Sequence, residues 1–427
     1  AGLLEGDDLA EAGLEGLHLL LHPFPFGGGQ VRPGGLVAGA DGLDLGENYT
    51  QTTWMLNPSV QSGMLDCMHC HTSSGRFRQI DDPSTSCLPC HARRVRTISE
   101  HSRHATGGDN PTCVSCHMPM TEFARMRRSD HSFRPPCPAA SLEFGSPNSC
   151  TLCHTDQTDE WAAQQVETWH PETRWRKRIM RVGSLVCAAR RNEWTQLPAI
   201  LEYIGSPASQ PVVVTSLIRL LRTCPDTDKW PVLRRAAEHD SPLVRAAAAE
   251  VLTADLDSPA TRKRLFDALS DSYRLVRVRA AASLAALPRE NLEPERSGAL
   301  ERAERELLAS FRTQPDTWSS HYNRGNYRSE RGDHRAALDA YREAIRQRDD
   351  VILPYVNASI AASRLDRLSE SIEFLREASR IEPDHGAVNL NLGLALAEKG
   401  RRTEAVEHLR RALRTEHTRG QAAFNLA

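Results

Sequence analysis

The chain has 427 residues, which is too long for one ordinary domain, and its 40% hydrophobic and 25% charged content is typical of a folded protein. Its formal net charge of −2 gives no indication of a nucleic-acid partner. No apolar run approaches the about 20 residues of a membrane-spanning helix. No basic stretch followed by an apolar stretch opens the chain, so we expect a mature protein whose signal peptide has been removed.

Residues 1–46 are rich in glycine, with 12 of the 26 glycines of the chain, and contain a single arginine and no lysine. Within them, residues 7–22 place leucines at roughly helical spacing, which predicts one amphipathic helix. The glycine-rich stretch that follows is typical of an extended loop. We predict an N-terminal arm over residues 1–46.

Residues 47–160 are dense in Pro, Ser, His and Cys and show neither helical nor strand periodicity. Eight of the 11 cysteines of the chain fall here in four copies of one pattern, Cys-x-x-Cys-His. The remaining three cysteines have irregular spacing, which does not indicate a disulfide framework. The four copies are Cys67-Met-His-Cys70-His71, Cys87-Leu-Pro-Cys90-His91, Cys113-Val-Ser-Cys116-His117 and Cys150-Thr-Leu-Cys153-His154.

The spacing of this pattern matches the attachment of a c-type haem. Two cysteines three positions apart present both sulfurs to the two vinyl groups of one haem, and the adjoining histidine becomes the proximal ligand of its iron. A zinc ribbon is the alternative for the first two copies, because their cysteine pairs have a suitable separation. A ribbon does not require a histidine after each second cysteine, so we predict four covalent haem groups in a tetrahaem domain over residues 47–160.

Each iron has a sixth position, which another histidine fills in an electron carrier and which stays open in a catalyst. We predict His131 as the best candidate for a distal ligand. The next candidates are His104 and His101, which lie before the third motif, and then His22 or His18 of the arm. His69, inside the first motif, is a weaker candidate. His170 and the histidines of the later segments are expected to be structural, and Met118 and Met120 to be packing residues.

Residues 161–310 are rich in Ala, Leu and Arg. Residues 241–252 and 273–284 align at a separation of 32, so that Leu243, Val244 and Arg245 match Leu275, Val276 and Arg277. This pattern resembles HEAT repeats, which are stacked helix pairs.

Residues 311–427 repeat with a period of 34, which resembles tetratricopeptide repeats. We predict about three repeats and an incomplete fourth. Small residues are expected where two helices cross closely, and large ones between the repeats. The aligned columns are Gly325, Ser359 and Gly393; Gly332, Asp366 and Gly400; Ala337, Ser371 and Ala405; Tyr341, Leu375 and Leu409; and Ala344, Ala378 and Ala412.

From Tyr49 to about Trp169 the sequence resembles bacterial multihaem cytochromes of the cytochrome c554 type that are joined to HEAT and tetratricopeptide repeats. The resemblance rests on "SGMLDCMHCH", "SCLPCH", "PTCVSCHMPM", "RRSDHSF" and "GSPNSCTLCHTDQTDEWAAQQVETW". It implies a mostly α-helical protein with a haem-packed domain and an α-solenoid, and it implies His131 as an axial ligand. Relatives often carry a histidine shortly after the first motif, whereas residues 72–75 here are Thr-Ser-Ser-Gly.

The first functional hypothesis is electron transfer through four haems, mostly held by two histidines each, in the periplasm or outside the cell. The repeats would then dock a redox partner or copies of the chain, in the extreme case as a cytochrome filament. The second is an oxidoreductase of a small nitrogen or sulfur compound with one open haem. The third is an adaptor whose repeats carry the function and whose haems sense redox state. We expect a carrier rather than an enzyme.

Overall fold

A computed structural model describes residues 54–105, 111–123, 126–171, 173–290, 292–313 and 315–426. The predicted arm, with its helix and with His18 and His22, lies outside the described residues. The described part of the chain divides into two compact units, one ending at Asp255 and the other beginning at Leu256. The predicted fold class is confirmed: the protein is mostly α-helical and its repeats are of the α-solenoid type.

The first unit begins with short elements. Its one sheet in the described residues is an antiparallel pair in which Met120 lies opposite Ser129 and Thr121 opposite Arg128. No residue of the helices α2 to α5 is buried. The elements are α1 (Pro58–Gln61), α2 (Cys67–Cys70), a 3-10 turn (Pro83–Cys87), α3 (Leu88–Arg96), α4 (Ile98–Ser102), α5 (Cys113–His117), β1 (Met120–Phe123), β2 (Met126–Ser129) and α6 (Pro138–Phe144).

Longer helices follow in the same unit. Helix α7 (Asp159–Trp169) begins after Thr158, whose hydroxyl accepts from the Trp161 N–H, and carries acidic residues in its first turn. Helix α8 (Arg174–Arg190) packs on α6, and its buried Gly183 leaves room for the ring of Phe144. The helices that complete the unit are α9 (Leu197–Gly205), α10 (Pro211–Leu220), α11 (Lys229–Ala236) and α12 (Pro242–Val251), with 3-10 turns at Trp194–Gln196, Leu221–Thr223 and Leu252–Asp255.

The second unit is a series of antiparallel helix pairs. Its helices are α13 (Pro259–Ala268), α14 (Arg274–Ser283), α15 (Pro294–Ser310), α16 (Trp318–Glu330), α17 (His334–Gln347), α18 (Ile352–Ser363), α19 (Leu368–Ile381), α20 (Gly386–Glu398), α21 (Arg402–Ala412) and α22 (Glu416–Leu426). None of the helices described in either unit is long and apolar enough to cross a membrane.

One arginine recurs in the HEAT-like helices with the same role. Arg245 in α12, Arg262 in α13 and Arg277 in α14 each donate through Nη1 to the carbonyls six and five residues earlier. Those carbonyls precede the helix and have no partner within it, so the guanidinium ties the incoming turn to the helix. The aligned Arg245 and Arg277 of the sequence are therefore structurally equivalent.

The columns of period 34 occupy equivalent places in the tetratricopeptide helices. A β-carbon on Gly325 would overlap the ring of Tyr341, and one on Gly393 would lie 2.7 Å from a side-chain carbon of Leu409. Ser359, the third member of that column, is fully buried. The small residues therefore allow the two helices of each repeat to approach closely, as predicted.

The column of Gly332, Asp366 and Gly400 has a different cause. All three residues have positive φ, at 74°, 59° and 80°, in the turns between α16 and α17, α18 and α19, and α20 and α21. A left-handed residue ends the first helix of each repeat, and glycine or a short polar residue tolerates that backbone best. This column is set by turn geometry rather than by helix crossing.

Candidate haem site

Each Cys-x-x-Cys-His motif starts at a capped turn. The Asp66 carboxylate accepts from the N–H of Met68 at 2.8 Å and of His69 at 3.2 Å, at the start of α2. Thr112 and Ser115 form a capping box around α5, and the Asn148 side chain accepts from the Cys150 N–H at 3.0 Å. In the second motif Asp82 caps the 3-10 turn that ends at Cys87. These caps satisfy backbone N–H groups at the start of each short turn and so stabilise its backbone.

The eight motif thiols are free of disulfide bonds. Thiols of consecutive motifs lie close together: Cys87 is hydrogen-bonded to Cys113 and is influenced electrostatically by Cys70. Cys116 is influenced in the same way by Cys150 and Cys153. The four motifs therefore follow one another in space in their order along the chain.

Three motif histidines each face one of the histidines that the sequence analysis proposed as distal ligands. Each pair joins rings from separate parts of the chain. The pairs, with the distances between ring centroids, are His71 and His131 at 6.3 Å, His117 and His101 at 6.1 Å, and His154 and His104 at 5.8 Å. The angle between the ring planes is 25° in the first pair, 7° in the second and 39° in the third.

These distances fit an iron between the two rings. A transition metal binds an imidazole nitrogen at about 2 Å, and the ring centroid lies about 1 Å behind that nitrogen, so two imidazoles on opposite sides of one iron have centroids about 6 Å apart. Directly packed aromatic rings cover a broader range, from about 4.5 to 7 Å. The residues present therefore fit a six-coordinate haem at each of the three pairs.

The outer nitrogens of four of these rings are held by backbone carbonyls. A carbonyl only accepts, so each Nδ1 must carry the proton, and each Nε2 keeps the lone pair that a metal needs. This is the usual arrangement of metal-binding histidines. The Nδ1 contacts are His71 to Gly75 O (3.0 Å), His117 to Arg134 O (3.2 Å), His131 to Ser129 O (2.8 Å) and His104 to Ser102 O (2.6 Å).

His101 departs from that arrangement. Its Nδ1 faces the guanidinium of Arg94, with Nη1 at 3.4 Å, rather than a carbonyl. Its ring centroid also lies 6.0 Å from that of His170 at 47°, as well as beside His117. His170 was expected to be structural, and nothing in its local sequence indicated that the end of α7 reaches the His101 ring.

His91 is the motif histidine without such a partner in the described part of the chain. It is exposed, and the helix α3 bends at it, with φ −122° and ψ 32°. His69 does not face another histidine within the described residues; its Nδ1 lies 2.9 Å from the Asp66 carboxylate. His18 and His22, the remaining candidates, lie outside the described residues.

Burial shifts the acid–base behaviour of the site. It lowers the pKa of His117 and of His131, and it raises the pKa of the Cys116 thiol to about 11. The two imidazoles therefore favour the neutral form, which is the form that binds metals. Aromatic rings lie beside three of the paired histidines: between ring centroids, Trp54 lies 6.3 Å from His131, Trp161 lies 4.9 Å from His154 and Trp169 lies 6.4 Å from His104.

The zinc alternative is not favoured by this geometry. A structural zinc site needs about four converging ligands. In the part of the chain that the structure describes, which includes the thiols of the first two motifs, no three His, Cys, Asp or Glu side chains converge as a metal site. The first two motifs therefore do not form a ribbon site here.

Three known families match parts of the sequence. The cytochrome c552 family matches residues 95–193, HEAT repeats match residues 188–286, and the tetratricopeptide repeat matches residues 387–416. The first match contains the third and fourth motifs together with His101, His104 and His131. The protein thus joins a cytochrome c552-like region, which implies covalently bound haem c, to HEAT and tetratricopeptide repeats.

The cytochrome c552 match extends beyond residue 160, the predicted end of the haem domain, and includes α7 and α8. No curated protein matches the sequence. Among solved structures, a crystal structure of MamA is 16% identical, with a TM-score of 0.27 over 41% of this chain and 90% of that one. A monomeric mutant of IFIT1 is 14% identical, with a TM-score of 0.33 over 60% of this chain and 64% of that one.

Proposed function

We propose that the protein transfers electrons through four covalently attached haem groups, of which at least three are held by two histidines each. The observation that carries this proposal is the pairing of His71, His117 and His154 with three other imidazoles at centroid distances of 5.8 to 6.3 Å. A haem whose two axial positions are both occupied by imidazole cycles between ferric and ferrous states and leaves no position for a substrate.

Thiols, imidazoles and helix caps would each contribute differently to holding a haem. Each motif thiol would add across one vinyl group of a haem: its sulfur would bond to one vinyl carbon, and its hydrogen would go to the other. His71, His104, His117 and His131 would each offer Nε2, because a backbone carbonyl holds the proton on Nδ1. Asp66, Thr112 and Asn148 cap the turns that carry the thiols of the first, third and fourth motifs.

The order of the motifs supports a single path for electrons. Contacts between the thiols of neighbouring motifs link the first to the second, the second to the third, and the third to the fourth. Groups attached at these positions would form one row with the first and fourth motifs at its ends.

The test combines mass and spin state. The intact denatured protein is expected to exceed its 47.5 kDa polypeptide mass by four haems, and the pyridine haemochrome spectrum should give the same count. Electron paramagnetic resonance should show at least three low-spin irons. A denatured mass equal to that of the polypeptide would overturn the proposal.

The repeats would serve as a docking surface for a redox partner or for other copies of the chain, because stacked helix pairs present extended faces. A filament of such copies outside the cell is the finer form of this proposal, and covalent haem attachment supports a location in the periplasm or beyond it. Sedimentation and negative-stain microscopy of the haem-loaded protein test it. Filaments or a defined oligomer are expected, and a monomer at all concentrations would contradict self-assembly.

A second candidate function is favoured by His91, which faces no other histidine in the described residues. An iron held on one side only would have an open position for a small nitrogen or sulfur compound. One high-spin iron of the four, and a spectral change on adding carbon monoxide or nitrite, would favour this oxidoreductase. Four low-spin irons would favour the carrier.

A further inference from the structure

Helix α8 has an unusual charge distribution. Its 17 residues contain no carboxylate, and five of its first eight are cationic: Arg174, Arg176, Lys177, Arg178 and Arg181. The partial positive charge at the start of a helix favours acidic residues there and disfavours basic ones. Helices α7, α15, α19 and α21 follow that preference, with acidic residues in their first turns. The cations of α8 therefore lie where they cost stability.

Most of these cations are exposed to solvent. Arg176 pairs with Glu167, and Arg181 pairs with Glu202 at 3.1 Å. Arg174, Lys177 and Arg178 are exposed, and Trp175 between them keeps 42% of its surface exposed. The guanidinium of Arg178 lies 5.9 Å from the centroid of the Trp175 ring. Trp and Arg are enriched among the interface residues that contribute most to binding energy, so an exposed tryptophan among cations is typical of a binding surface.

An apolar cleft adjoins this surface. It has a volume of about 30 Å³, and its lining includes Trp175, Arg176 and Ile179 of α8, Val166 of α7 and residues 135–138. Interfaces between soluble proteins commonly combine such an apolar centre with a charged rim. The basic surface of α8 (Arg174, Trp175, Lys177 and Arg178) supplies the rim on one side.

The surface lies next to one end of the row of motifs. Trp169, the last residue of α7, contacts the ring of His104, which pairs with His154 of the fourth motif. Arg174 follows Trp169 by five positions, so their backbones are at most about 18 Å apart. A protein bound at α8 would therefore sit close to the fourth motif, which ends the row.

We propose that the basic surface of α8 docks an acidic redox protein, so that one electron passes between that partner and the iron at the fourth motif; this rests on the proposed electron-transfer function. When the partner is the donor, it is oxidised by one electron and the ferric iron is reduced to ferrous. Charge complementarity selects the acidic partner, since opposite charges accelerate encounter and like charges suppress it.

The experiment uses the haem-loaded protein and a reduced acidic [2Fe–2S] ferredoxin as the probe. Stopped-flow absorbance measures the second-order rate of haem reduction at about 10 mM and about 1 M ionic strength, where charges act over about 30 Å and about 3 Å. The variant Arg174→Glu/Arg178→Glu is expected to slow reduction at least about tenfold at low salt and to match the natural protein at high salt. Trp175→Ala is expected to weaken ferredoxin binding by calorimetry at both salt concentrations.

The matched control is Arg191→Glu/Arg235→Glu, which changes the net charge equally. Arg191 follows the last residue of α8, about 25 Å along the helix from Arg174, and both control residues are exposed. The control should change the rate less than about twofold. Thermal unfolding separates docking from structure, because acidic residues at the start of α8 should keep or raise the melting temperature.

Two results would overturn the docking proposal. One is an equal rate loss in both charge-reversed variants, and the other is a lower melting temperature of the α8 variant without a rate change. Failure of the electron-transfer proposal is distinguishable, because it would appear as missing haem in the intact mass. Calorimetry with oxidised ferredoxin would then still report on docking at α8.

Discussion

The haem-motif region and the tetratricopeptide repeats are built on opposite principles. In the repeats each long helix buries residues such as Tyr341, Leu375 or Leu409 against its neighbours. The helices α2 to α5 of the motif region bury none of theirs, and two of them, α2 and α5, are capped by Asp66 and Thr112. A region that buries no apolar stripe lacks the main driving force of folding. On the proposed function, the attached haems would supply the missing core.

The largest expected effect comes from preventing haem attachment. Protein made without haem should lose protection from hydrogen exchange and from proteases across residues 54–158, while α16 to α21 stay protected, because only the first region depends on the group for burial. Hydrogen-exchange mass spectrometry on both forms measures this. Cys187→Ala in α8, outside the motifs, serves as the control and should leave both regions protected. Equal protection of residues 54–158 with and without haem would contradict the comparison.

The converse test disrupts the repeats alone. In Gly325→Ala the new methyl group meets the ring of Tyr341, so the free energy of unfolding of the repeats should fall by about 1 to 3 kcal/mol. Denaturant unfolding followed by circular dichroism measures the change. The haem spectrum should stay as it was. Gly420→Ala, where nothing lies within 4 Å of the added carbon, is the control and should have little effect.

A third change acts on one axial pair. His131→Ala removes the imidazole opposite His71, so one iron should become high-spin or bind an external ligand while the others stay low-spin. Electron paramagnetic resonance with added imidazole reads the change, and added imidazole should restore the low-spin signal. His69→Ala tests the weaker candidate and is expected to leave the spectrum unchanged. If the low-spin signal decreased in His69→Ala but not in His131→Ala, His69 rather than His131 would be the distal ligand.

The smallest expected effect concerns Arg94. Its guanidinium lies at Nδ1 of His101, where other paired histidines such as His117 face a backbone carbonyl. The positive charge withdraws electron density from the His101 ring. This withdrawal favours the ferrous state of an iron bound to that ring. Arg94→Gln should therefore lower one of the four midpoint potentials, as measured by spectroelectrochemistry. Arg93→Gln, one residue earlier and also exposed, should shift the potentials less. An upward shift in Arg94→Gln would indicate that the guanidinium stabilises a deprotonated imidazole.

The same contrast explains how far sequence reasoning reached. The period of 34 predicted the helix pairs of the repeats, because every repeat must bury the same face against its neighbour. It also identified the turn column of Gly332 and Gly400, although for a different reason. In the motif region no periodicity exists, so the caps and the hairpin of β1 and β2 were not predicted. The role of His170 and of the charges on α8 was likewise not apparent.

The sequence by itself determined two features of this protein. Each of the four motifs places two thiols and one imidazole within five consecutive residues, and the repeat period determines which helices pair. Only the tertiary structure decided which imidazole stands opposite which, since His71 and His131 are 60 positions apart and their pairing depends on how capped turns pack around them. Residues that are adjacent in the sequence are close in any fold, whereas the pairing of distant histidines depends on tertiary packing.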